Sequence, residues 1–114
     1  MNKVLVTGNI TKDLEVKKSG DMDILKFSVA VRRDKDNVDF IPVTVFGKQA
    51  EAVAKYCSKG SKVLVSGALR INNYEDKNKV KKISVEVIAD SYNGIEFLGT
   101  SKKNEIDENL FVND

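Results

Sequence analysis

The apolar residues of this chain alternate in two blocks that are separated by a single stretch of helical spacing, and that order constrains the fold more than any other feature. Before the break, Lys3–Gly8 is a β-branched run that ends at glycine and reads as a first strand. Asp23–Arg32 is the second strand, with Leu25, Phe27, Val29 and Val31 on one parity and Lys26, Ser28, Ala30 and Arg32 on the other. Ser19-Gly20-Asp21 is a turn that pairs it with Leu14–Lys17, and Arg33–Asn37 is a polar loop. Val38–Phe46 is the third strand, with Ile41, Val43 and Val45 inward and Phe40, Pro42, Thr44 and Phe46 outward. Pro42 has no N–H, so the ladder is expected to break or bulge there.

The period then changes. Ala50, Val53, Ala54 and Cys57 stand at i, i+3, i+4 and i+7, which predicts one short amphipathic helix over Lys48–Lys59, stopped by Gly60. Alternation resumes in Lys62–Tyr74, where Val63, Val65, Leu69 and Ile71 take the core side. Leu64, Ser66, Ala68, Arg70, Asn72 and Tyr74 take the other, and Gly67 marks a bend or bulge. Glu75–Lys79 is a hairpin loop, and Val80–Ile88 is a fifth strand with Ile83, Val85 and Val87 inward. Ile95–Leu98 either covers the barrel or adds a last short strand.

Three strands, a lone helix and two strands is the layout of the five-stranded OB barrel, an all-β fold whose oligonucleotide-binding members use the outer face of strands two and three and the loops between strands one and two and between strands four and five. The expected organisation is one OB domain over residues 1–98 and a flexible acidic tail over 99–114. Charge is divided along the same line. Glu105–Asp114 carries −4, while residues 1–104 hold 19 basic and 13 acidic residues, or +6. A basic body with an acidic tip suits a binder of polyanions.

Two counts exclude most chemistry. There is no His, which removes the usual general base, the common triads and most zinc sites. Cys57 is the only Cys, so no internal disulfide forms, and its place in the helix's buried row reads as an inert core thiol. With no nucleophile motif and no phosphate loop, the expectation is a binding protein with no catalysis, no cofactor and no metal. Apolar runs are only a few residues long and the N-terminus reads straight into a strand, so the chain is expected to stay in the cytoplasm.

Strand parity singles out the binding residues. Phe40 and Phe46 lie opposite the Ile41–Val43–Val45 row, Tyr74 shares its side with Arg70, and Lys26 and Arg32 project from the wet side of the second strand. Interleaved rings and cations are what single-stranded nucleic acid requires, since bases stack on flat apolar surfaces and phosphates follow positive charge. Each ring also has a structural role open to it: Phe46 under the helix, Phe40 in a subunit interface, Tyr74 on the stems of Lys79 or Lys81. Phe27 and Tyr56 are assigned to core or helix packing. Lys12, Lys17, Lys18 and the Lys77–Lys82 cluster are assigned to solvated loops.

Asn2-Lys3-Val4-Leu5-Val6-Thr7-Gly8-Asn9-Ile10, Val45-Phe46-Gly47-Lys48-Gln49-Ala50-Glu51 and Tyr56–Val63 continuing through Ser66-Gly67-Ala68-Leu69-Arg70 resemble the bacterial and bacteriophage single-stranded DNA-binding proteins, in unbroken order over residues 2–98. The resemblance implies sequence-tolerant binding and protection of single-stranded DNA during replication, recombination and repair, and a homo-oligomer, usually a tetramer. It places Phe40 and Tyr74 on the family's stacking positions, Phe46 on a DNA-contacting phenylalanine, and Lys3, Lys48 and Arg70 on basic positions. The chain departs from the pattern in having no Trp, a short aromatic-free loop at Arg33–Asn37, and an atypical end. In the family an acidic stretch with a terminal apolar pair recruits partners. Here Asp107, Glu108, Leu110 and Phe111 are the candidates for that role, and Val112, Asn113 and Asp114 follow them. An OB module that binds RNA, or one that serves protein contacts, is the alternative reading of the residues.

Overall fold

Alternating β-branched residues bury one face of each strand, and here those faces curl around a single core. The computed structural model describes residues 1–99 and contains β1 (Val4–Ile10), β2 (Lys17–Ser19), β3 (Met22–Arg32), β4 (Val38–Phe46), α1 (Lys48–Tyr56), β5 (Lys62–Glu75), β6 (Lys81–Ala89) and β7 (Ile95–Gly99). The sheet runs β1-β3-β4-β6-β5, and β5 pairs back onto β1, which closes a five-stranded OB barrel. β2 is added to β3 and β7 to β5. The expected barrel strands are therefore β1, β3, β4, β5 and β6, and the lone helix falls between β4 and β5 as the spacing requires. No described helix is long and apolar enough to cross a bilayer.

The core is built from the predicted rows. Leu25, Phe27 and Val29 of β3, Val43 and Val45 of β4, Val63 and Val65 of β5, Val87 of β6 and Ile10 of β1 are all buried. Ala50 and Val53 of α1, with Cys57 just beyond it, join the same cluster, and α1 packs on β3, β4 and β7. Fully burying a Val, Leu or Ile side chain contributes about 1.5–3 kcal/mol. Burial pushes the Cys57 thiol above its ordinary pKa, in keeping with an inert core role.

Several local expectations change. β1 does not stop at Gly8 but runs through it to Ile10. A Cβ on Gly8 would stand 2.5 Å from the Ala30 carbonyl oxygen, so glycine permits the close approach where β1 joins β3. Gly67 is neither bend nor bulge. It pairs in register with Val4 on one side and Ala89 on the other, and a Cβ there would collide with the Ile88 carbonyl oxygen. The strand irregularity lies elsewhere, between Lys62 and Val63 in the β5–β7 pairing. Pro42 leaves the β3–β4 ladder intact, paired with Ser28. β4 pairs its other neighbour, β6, only at Val43 and Thr44, so the edge at Pro42 has no ladder bond to lose.

The helix ends at Tyr56 rather than Lys59, because Cys57 is extended while its N–H still donates to the Val53 carbonyl. Gly60, at φ 92°, turns the chain into β5 instead of stopping the helix. Tyr56 is therefore not packed in the core. It is the last helical residue and is exposed, with Lys55 Nζ 5.4 Å from its ring centre. The strand paired with β3 ahead of the Gly20 turn is Lys17–Ser19, later than the expected Leu14–Lys17.

The largest correction concerns the β5–β6 hairpin. Leu69, Ile71, Ile83 and Val85 lie on the inward parity but are exposed, and in β6 that row is buried only from Val87 on, at Val87 and Ala89. β5 is 14 residues long and passes the closed part of the barrel after Gly67, so within the described chain nothing covers that face of the arm.

Candidate nucleic-acid interface

Register decides which outward side chains share a surface. Across β3–β4, Phe46 faces Ile24, Thr44 faces Lys26, Phe40 faces Ala30 and Val38 faces Arg32. Thr44 continues to Ile88 of β6, and Ile88 to Ala68 of β5. Farther along the same strands, Arg70 faces Glu86, Asn72 faces Ser84 and Tyr74 faces Lys82. One outer face therefore spans β3, β4, β6 and β5 and carries Phe40, Phe46, Tyr74, Lys26, Arg32 and Arg70.

The three rings stand free of the core. Phe40 is 65% exposed, Tyr74 49% and Phe46 36%. Phe40 is open toward β3 because its cross-strand neighbour is Ala30. The loop that leads into it is held by Asp34, whose carboxylate accepts from the Asp36 and Asn37 backbone N–H groups, and by the Arg33–Asp39 ion pair. The turn beyond Tyr74 is held in the same way. Asp76 accepts from the Asn78 and Val80 N–H groups and pairs with Lys82 at 3.3 Å, while Lys79 takes the left-handed conformation. Phe46 precedes Gly47, where β4 gives way to α1, and is the least open of the three.

The cations differ in how free they are. Lys26, Lys48 and Arg70 are exposed and make no close ion pair among the described residues. Arg32 donates to the Lys35 carbonyl at 3.2 Å and makes no close ion pair among the described residues. Lys3 stands just before β1 and is paired with Asp90, whose carboxyl is held below the usual carboxylate range by Lys3 and by the Ser66 hydroxyl. Its charge is thus largely committed within the protein. Asp107, Glu108, Leu110 and Phe111 lie outside the described residues.

Sequence reasoning missed two features of this region. Thr44 has the outward parity but is buried, because its hydroxyl donates to Glu86 across β4–β6. A lone outward Glu between apolar positions gives no sign of that bond. Gln49 is the second. Its Nε2 donates to the Asp90 carbonyl at 2.8 Å and its Oε1 accepts from the Gly94 and Ile95 N–H groups, clamping the β6–β7 connection onto α1.

Comparison with known proteins agrees with this fold. The pattern of the Single-strand binding protein family matches residues 1–97, the whole barrel. The chain belongs to that family. Single-stranded DNA-binding protein 1 of Clostridium acetobutylicum is 38% identical over 111 residues, covering 90% of this chain and 98% of that one. Single-stranded DNA-binding protein 3 of the same organism is 35% identical, covering 99% and 83% of the two chains. Single-stranded DNA-binding protein 1 of Staphylococcus aureus strain Mu50 is 37% identical, covering 97% and 74%. Family membership and the outward face thus rest on separate observations.

Proposed function

We propose that this protein binds single-stranded DNA without sequence preference, laying bases on Phe40, Phe46 and Tyr74 while Lys26, Arg32, Lys48 and Arg70 follow the phosphates. The observation that carries the reading is the exposure of all three rings on one face that also bears cations, in a chain of this family. Stacking tolerates any sequence because every base has a π face, at about 1–3 kcal/mol per base. Lys3 contributes less than the other cations, since Asp90 already answers its charge. The mechanism is passive: an occupied strand cannot re-pair and is shielded from nucleases. That is the service replication, recombination and repair require, and it is performed in the cytoplasm, where the DNA is.

The protein works as a homo-oligomer, and a tetramer is the expected form. Support comes from the β5–β6 arm, where Leu69, Ile71, Ile83 and Val85 expose a continuous apolar strip. A strip of this kind on an all-β surface is unfavourable unless another chain covers it.

The test is anisotropy of labelled oligo(dT) titrated with the full chain at two salt concentrations, against duplex DNA and RNA of matched length. Tight binding of oligo(dT), weak binding of duplex and a log–log salt slope of about −3, for four to five phosphates at −0.7 each, are expected. Equal or tighter binding of RNA would replace the proposal with the RNA-binding reading, and binding of none would overturn it.

A further inference from the structure

The outer face contains an acid in its middle. Glu86 lies on β6 directly opposite Arg70 of β5, where cross-strand side chains stand about 4.5–5.5 Å apart at Cβ. Its Oε1 accepts from the Thr44 hydroxyl, and its Oε2 accepts from Asn72 Nδ2 at 2.7 Å. Thr44 in turn faces Lys26 across β3–β4. The Thr44 and Asn72 hydrogen bonds, with the nearby Lys26 and Arg70 charges, hold the carboxyl below the usual carboxylate range despite partial burial. The charge is therefore present at neutral pH and fixed in place by two donors from two different strands.

We infer that Glu86 is a built-in counter-ion of the nucleic-acid face, which part-neutralises Lys26 and Arg70 in the free protein and which an arriving phosphate has to outcompete. The inference rests on the proposed binding of single-stranded DNA by this face. Its consequence is specific. A cation whose charge is already answered within the protein neutralises less of the strand, so fewer counter-ions are released and binding is less salt-dependent than the number of cations implies. Arg32 provides the internal contrast: it lies on the same face, where its cross-strand neighbour is Val38, and its charge is not among those that act on the Glu86 carboxyl.

The experiment is oligo(dT) anisotropy over a salt series with the full chain and Glu86→Gln, which keeps the side chain's shape and an acceptor oxygen while removing the charge. Glu86→Gln is expected to bind about three- to tenfold more tightly at low salt, the scale of one exposed-to-half-buried charge interaction. Its log–log slope is expected to steepen by about 0.7, the equivalent of one phosphate. An unchanged or weaker affinity with an unchanged slope would overturn the inference and leave Glu86 as a strut for Thr44 and Asn72. A second comparison keeps the test decisive if that variant does not fold. Arg32→Gln should flatten the wild-type slope by about 0.7, and Lys26→Gln by less than half as much. Equal losses at the two positions would overturn the inference. Failure of the wild-type chain to bind oligo(dT) would instead remove the proposed function, so the two failures are told apart by the wild-type curve alone.

Discussion

Replacing Phe40, Phe46 and Tyr74 together by Ala is expected to weaken oligo(dT) binding by at least about a hundredfold. Three stacked bases at about 1–3 kcal/mol each amount to roughly 3–9 kcal/mol, and each 1.4 kcal/mol is a factor of ten. The lower end is the safer figure, because neighbouring stacks share a strand and losses of coupled contacts do not add. The fold should survive the change. All three rings are at least 36% exposed and none belongs to the buried cluster, so each truncation should alter stability only slightly. The cations remain in place, so residual binding should keep nearly the wild-type salt slope. Loss of affinity with the slope retained would separate stacking from charge. An unchanged affinity would show that bases lie elsewhere.

The second large effect concerns assembly. Ile71 and Ile83 are 56% and 66% exposed on the apolar side of the β5–β6 arm, the side turned away from the rings. Covering an apolar side chain of this size contributes about 1.5–3 kcal/mol, and a carboxylate buried in its place costs considerably more. Ile71→Asp with Ile83→Asp is therefore expected to convert the proposed oligomer to monomers of 12.7 kDa, read by light scattering. Retention of the wild-type oligomer would move the interface off the arm, and a wild-type chain that is itself monomeric would remove the oligomer from the account.

These two faces also show what could be read from the chain alone. Parity identifies the outward rings because Phe40 and Phe46 lie within β4 and Tyr74 within β5, and a strand's alternation cannot slip without reversing every residue. The same parity failed for Leu69, Ile71, Ile83 and Val85. Alternation reports which residues share a side, and it does not report where a long hairpin leaves the barrel that would have buried that side. The helix was legible from Ala50, Val53 and Cys57, while its end was not, since Cys57 belongs to the buried row although it already lies beyond the last helical residue. Gly67 and Gly8 looked like interruptions because a missing side chain in a strand is ambiguous. Here each instead lets a neighbouring backbone come close. The Thr44–Glu86–Asn72 contact joins three strands and had no local signature at all.

The most direct test of stacking uses the absence of tryptophan from the chain. Phe40→Trp places a single indole on the exposed face, opposite Ala30. Its fluorescence should be strongly quenched by oligo(dT), saturating at the same ratio of protein to strand as the anisotropy of the labelled oligonucleotide. An indole signal that stays constant while the oligonucleotide is demonstrably bound would contradict the account.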